Sequence, residues 1–366
     1  GNYNVAVGKN ALLSHTTGDS NTALGAFTLD SNTTGSANTG VGSNALGSNT
    51  TGSENTAVGQ HALGSSTTGY QNVAEGRYAG NLITDAHEDT AIGYRALSQC
   101  TTGDHNTAIG HDALEQVSTG SYNTALGRDA GRSITTGAGN ICLGHNTNDA
   151  SNTANVVAIG PFALTSNQSD SVVAMGYFAL KDNTNGTGNT AVGHNSMASN
   201  TSGSNNTTLG SLTLDSNTTG GNNTAVGYNA LSVQTTGESN VAVGTNAGDA
   251  LTTGAYSIAI GHGALTEATS AMSNTAIGFE ALKACTTGQR NVAIGTNTGN
   301  AIVGGSDNVL LGRDAGLATS PSGAIVNGNH QVVLGDDDVT DLFCADTSIS
   351  SSDSRDKADI TDFTKG

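Results

Sequence analysis

Tryptophan is absent, proline occurs twice, aromatic residues make up 4% of the chain and charged residues 11%. With so few large rings and so little charge, a conventional core inside a charged shell cannot be built at this length. No apolar run approaches the ~20 residues of a membrane-spanning helix, so membrane insertion is not expected. Basic residues are scarce too: 12 against 30 acidic ones gives a formal charge of −18. Such a surface repels phosphate backbones and anionic lipid, which argues against nucleic-acid binding. The four cysteines, Cys100, Cys142, Cys285 and Cys344, have no C-x-x-C spacing. They read as small apolar fillers and not as a disulfide framework. The chain opens inside a repeat without an initiator Met, so a piece of a longer polypeptide is expected.

What the chain does have is glycine, 51 residues of it, at a fixed spacing. A strand-like unit closed by glycine is first complete at Asn21-Thr22-Ala23-Leu24-Gly25. It returns at Asn55–Gly59, Asn106–Gly110, Asn223–Gly227 and Asn291–Gly295. The marker glycine recurs every 17 residues from Gly8 to Gly335, apart from two steps of 16 and a last step of 23. A period of this size marks a stacked repeat architecture, here about twenty copies of one small unit. Composition alone would suggest disorder, and the strict period excludes it.

Counting from the marker glycine as zero, position 3 is small and position 4 is Leu, as in Ala45-Leu46 and Ala62-Leu63; a Thr-Thr-Gly turn closes at position 10. Each unit is expected to hold two short strands and two turns, the turns relying on the positive φ open to glycine. Stacked at the ~4.8 Å strand spacing, twenty coils give a parallel β-solenoid rod on the order of 95 Å long. The expected fold class is therefore all-β.

Position 15 is almost always Ala and is flanked by Thr/Val/Ile at 14 and Val/Leu/Ile at 16. Because alternate residues point to opposite faces, the aliphatic pair is expected inside and the Ala row outside. An outer face restricted to Ala suggests close packing against another copy. Ala108, Ala225 and Ala276 are accordingly expected at a trimer interface, the alternative being that the Ala row fills a narrow coil interior. Position 13 is Asn in most copies, among them Asn21, Asn55, Asn106, Asn223 and Asn291. Stacked amides can donate and accept along a rod, so a structural ladder is expected.

The pattern loosens between Asn148 and Gly176, where two coils lose one residue each and Phe162 and Phe178 are expected to stack. In some coils Ala-Leu becomes Ala-Gly, as at Ala79-Gly80 and Ala130-Gly131, which removes a core side chain. After Gly312 the regular rod is expected to end. The chain thus divides into a repeat shaft at 1–312, an irregular distal tip at 313–351 and a final segment at 352–366.

That final segment contains Ser352-Asp353-Ser354-Arg355-Asp356-Lys357. The pattern Ser-Asp-x-Arg-x-Lys resembles the opening motif of the self-cleaving intramolecular chaperone at the C-terminus of phage tail fibres and endosialidase tailspikes. The resemblance implies cleavage between Ser351 and Ser352, with Ser352 as nucleophile and Lys357 as its base; a serine of this kind needs a nearby amine of lowered pKa. Asp356 departs from the family, which usually has an apolar residue there. The repeats look like those of phage tail-fibre proteins and are similar to the Ser-Val-Ala-Ile-Gly coils in the heads of trimeric autotransporter adhesins. Both resemblances imply a homotrimer, and the second implies a left-handed β-roll.

Other chemistry is weakly signalled. His111, His145, His194 and His262 each follow a marker glycine in non-adjacent coils, without metal-ligand spacing. Asp336, Asp337 and Asp338 could bind Ca²⁺ through oxygen, but read first as a solvated acidic turn. No metal or cofactor is expected, and no enzymatic activity beyond autoproteolysis. The expected function is the distal shaft of a phage tail fibre, located in the virion and attaching to a host-surface receptor, a glycan or an outer-membrane component. Receptor contact is expected at the tip, with Tyr94, Tyr177 and Tyr228 as a possible glycan-binding set along the shaft. The alternative is the head of a bacterial trimeric adhesin.

Overall fold

The computed structural model describes residues 1–149 and 152–339. Three residues of each repeat form a strand. Twenty such strands, from β1 (Val5–Val7) to β20 (Val332–Leu334), make one parallel sheet in which each strand pairs with the next in the chain. Equivalent positions pair in register, as Thr56↔Val73, Ala57↔Ala74 and Val58↔Glu75. No helix occurs among the described residues, so the fold is an all-β parallel β-solenoid with a repeat of about 17 residues.

The second strand expected in each coil is not formed. The stretch after the marker glycine is a run of turns in which alternate residues are left-handed, for example Asn44 at φ 60° and Leu46 at φ 52°. This conformation costs about 1 kcal/mol per non-glycine residue. It also aims successive N–H groups at opposite neighbours: Asn44 donates to the Ala26 carbonyl of the preceding coil at 2.9 Å, and Leu46 to Ala62 of the following coil at 3.0 Å. Both sides of the coil are therefore laddered, which satisfies backbone groups that a loop would leave to water.

The expected inside and outside of the strand are reversed. Ala108, Ala225 and Ala276 are fully buried within the single chain, so they line the coil interior and do not face a partner. The residues flanking them, such as Thr107 and Ile109, point outward. The cause is steric. In the coils with Leu at position 4, the strand Ala, the small residue at position 3 and that Leu are buried in one cluster, and the Leu takes the volume that a larger strand residue would need. Exceptions are compensated locally: Thr208, standing in the Ala row, is met by Ser196 Oγ at 2.6 Å, which also contacts Thr213 Oγ1 at 2.9 Å.

The coils that carry Gly at position 4 are filled from another direction. Ile83, Ile134, Leu251 and Ile302, all at position 7, are buried in the coils containing Gly80, Gly131, Gly248 and Gly299. A Cβ on Gly80 would crowd Ile83 Cδ1 at 3.0 Å and Leu63 Cδ2 at 2.9 Å, so the Ile at position 7 fills the space left by the missing Leu. Cys100 and Cys285 occupy the same position 7 and Cys142 the Ala row; all three are buried free thiols, pushed up to about 12, 11 and 12 by burial. Cys344 lies outside the described residues.

The asparagine ladder forms. Asn223 donates its backbone N–H to Asn206 Oδ1 at 2.9 Å, its amide to the same oxygen at 3.1 Å and to the Gly237 carbonyl at 3.0 Å, and accepts from Asn240 N–H at 2.9 Å. Asn21, Asn55, Asn106 and Asn291 sit equivalently and are buried. A second ladder runs at position 7, with Asn200 donating to Asn183 Oδ1 and Asn217 to Asn200 Oδ1, each at 2.7 Å. Together the two rows hold the Thr-Thr-Gly turn from both sides. Asn223→Ala should leave Asn240 N–H without its acceptor and Gly237 O with only the bond from Gln234 Nε2 at 2.6 Å, and destabilise the rod by about 2 kcal/mol. Denaturant unfolding of the full chain checks this, and a loss below about 0.5 kcal/mol would contradict the ladder's role.

The two shortened coils leave the sheet intact: Ile141↔Val157 and Val157↔Val173 remain in register. Nor does the solenoid stop at residue 312. The six additional residues after β19 (Val309–Leu311) are absorbed in a turn around Leu317–Gly323, and Val309, Leu310 and Leu311 pair with Val332, Val333 and Leu334. Phe162 and Phe178 pack together with ring centroids 5.4 Å apart, but tilted by 43° and not stacked as expected.

Candidate functional site

Three surface features stand out from the frame, and each is a row or cluster built by stacking coils. The first is the outer face of the sheet. Positions 14 and 16 present Thr, Val, Ile, Leu and Met from one end to the other, and Glu75 is the single charged residue at either outward position of the twenty strands. Leu126 and Leu209 are about half exposed. The strip is about 10 Å by 90 Å, on the order of 900 Å², with ten threonines and Glu75 among its aliphatic side chains.

The second feature is a set of aromatic and histidine stacks between adjacent coils. His111 lies 5.1 Å from Tyr94, His145 5.0 Å from Phe162, His194 5.7 Å from Tyr177 and His262 5.4 Å from Phe279. Every histidine singled out by its place after a marker glycine therefore has an aromatic neighbour one coil away. The signal is present in the sequence as a spacing of 17 between partners, and it points to ring packing. His61 with Tyr78 and His105 with Tyr122 follow the same rule.

The third is a groove of about 440 Å³ across three coils, walled by Tyr78 and Tyr94 and floored by Asn81, Leu82, Ser98 and Gln99, with Arg95 and Glu115 at one end. Arg95 pairs with Glu115 through Nη2 and with Asp112 through Nε at 3.3 Å. Arg132 Nε reaches the other Glu115 oxygen at 2.8 Å, and Arg128 Nε reaches Asp129 at 3.0 Å. The groove lies on the turn side of the coils, and no strand residue lines it.

His111, Asp112 and Asp129 bring three ligand-type atoms together, as do Asp336, Asp337 and Asp338. Both sets are already served by cations from the chain. Arg95, Arg128 and Arg132 surround the first set, and Arg313 reaches Asp336 at 2.7 Å and Asp338 at 2.8 Å. The Arg313 guanidinium holds the Asp336 carboxyl below the usual carboxylate range. These residues are thus ion-pair clusters of the kind that closes a surface turn.

Ser352 and Lys357 lie outside the described residues. Tyr177 and Tyr228, expected with Tyr94 as a set, stand on separate coils far along the rod from the groove; Tyr94 alone enters it. No helix of the described residues is long and apolar enough to cross a membrane. Compared with known protein families and with curated proteins, the chain has no match.

Proposed function

We propose that this chain is the distal shaft of a bacteriophage tail fibre, a homotrimeric rod that carries host-surface attachment away from the virion. The observation that carries the reading is the strip of threonine and aliphatic side chains, with a single charge, along the whole sheet. Among the described residues only Glu75 places a charge at the outward strand positions of this ~90 Å face, and identical rods laid side by side would cover it along their full length. The strip supplies on the order of 900 Å² per copy, against roughly 800 Å² per partner in a stable interface. It replaces the Ala row as the proposed contact between copies.

The phage assignment rests on Ser352-Asp353-x-Arg355-x-Lys357 directly after the repeat. The rod supplies reach, and the motif supplies assembly followed by release of a folding helper. Expression with the natural downstream sequence should yield a chain ending at Ser351, and Ser352→Ala should remain uncut, as read by intact mass. If the native chain stays whole, the phage-fibre assignment fails.

A further inference from the structure

We infer that the groove between Tyr78 and Tyr94 is a binding site for a neutral oligosaccharide. Its volume of about 440 Å³ lies within the range of small-ligand sites. The two tyrosine rings are held from outside the groove: His61 stacks on Tyr78 from the coil before, and His111 packs on Tyr94 from the coil after. Neither histidine lines the groove, so the walls are oriented before any ligand arrives, which lowers the entropic cost of binding.

The floor selects the chemistry. Asn81 and Gln99 offer amides that donate and accept, and Ser98, largely buried, is also among the lining residues. Among the described residues these three side chains have no hydrogen-bond partner within the chain. Arg95 and Glu115, the charged lining residues, neutralise each other, with Asp112 and Arg132 completing the network. The guanidinium of Arg77 lies over the Tyr78 ring at 4.7 Å beside the groove, but an anionic ligand would still approach a chain of net charge −18. A purely apolar ligand would meet one aliphatic side chain, Leu82, and strand the amides. Rings on the walls with paired donors and acceptors on the floor instead match a sugar, whose faces are C–H and whose edges are hydroxyl.

The inference rests on the attachment reading and moves receptor contact from the tip to the shaft. Its test is the full chain on an array of neutral and acidic oligosaccharides, followed by titration calorimetry with the best neutral binder. Tyr94→Ala and Gln99→Ala should each weaken binding by about tenfold or more, while Tyr228→Ala, an exposed tyrosine on a distant coil, leaves it unchanged. No binding to any neutral glycan, binding to acidic glycans alone, or full affinity in both groove variants would overturn the site. None of these substitutions touches the strip or Ser352. Failure of the groove is therefore read on glycans, and failure of the fibre assignment is read by mass.

Discussion

Gly110→Ala should cost the rod about 4 kcal/mol or more, as should the same change at the other marker glycines. Gly110 sits at φ 141°, a region closed to residues with a Cβ, and a Cβ there would run into the backbone carbonyl of Gly127 in the next coil. Neither problem can be relieved by a side-chain rotation, because both atoms belong to backbones locked in the coil-to-coil ladder. Rotating Gly110 away breaks its N–H bond to the Ile92 carbonyl at 2.8 Å; moving Gly127 disturbs the coil above. Gly64→Ala is the matched control. Its φ is not left-handed and its nearest neighbour is the end of the Asn81 side chain at 2.9 Å, so a change within about 1 kcal/mol is expected. Because repeat arrays unfold in segments, hydrogen exchange around residues 93–127 should be compared with that of distant coils. Equal behaviour of the two variants would contradict the close approach of successive coils.

Asp89→Asn should stabilise the rod above neutral pH and abolish one step of its pH dependence. Asp89 stands in the ladder where its neighbours are Asn72 and Asn106. It donates its N–H to Asn72 Oδ1 at 3.0 Å and accepts from Asn106 N–H at 2.7 Å, but its second carboxyl oxygen is buried without a partner. At the same place Asn72 donates its amide to the Ala86 carbonyl and Asn106 to the Gly120 carbonyl. An ionised carboxylate has no hydrogen to give, and burial pushes the Asp89 carboxyl up to about 7. The unfolded chain loses that proton near pH 3.8 and the folded chain near 7, so between these values the folded state holds more protons. This contribution to stability is therefore full below about pH 4 and is lost as pH rises through 7, a total of about 4 kcal/mol. The difference between wild type and Asp89→Asn should be small at pH 4.5 and reach about 2–4 kcal/mol at pH 8. A difference that does not change with pH would show that the carboxylate is hydrated or otherwise paired.

The sequence made the frame of this molecule easy to read and its orientation hard. Period, register and the Asn ladder follow from spacing alone, since identical positions 17 apart must stack in a solenoid. Alternation along Thr107-Ala108-Ile109 groups residues by face but does not say which face is inside. The decisive partner is the Leu at position 4, whose left-handed backbone turns it into the coil and leaves room only for Ala opposite. That conformation is rare for Leu and has no local sequence signal. The exchange of Leu97 in one coil for Gly80 with Ile83 in its neighbour was visible as a pair of changes three residues apart, but reads as a fill only once the coil is closed. The groove gathers Tyr78, Tyr94, Arg95 and Glu115 from three coils, and a 17-residue alignment of the chain with itself would have set them side by side.

The most direct measurement of the proposed assembly is sedimentation equilibrium of the full chain beside a variant carrying Ile109→Glu, Val226→Glu and Ile277→Glu on the strip. The native chain should run at three times its 36.3 kDa mass, and the variant at 36.3 kDa with its β-sheet spectrum retained. A native chain at 36.3 kDa, or a variant that keeps the full assembly mass, would contradict burial of the strip between copies.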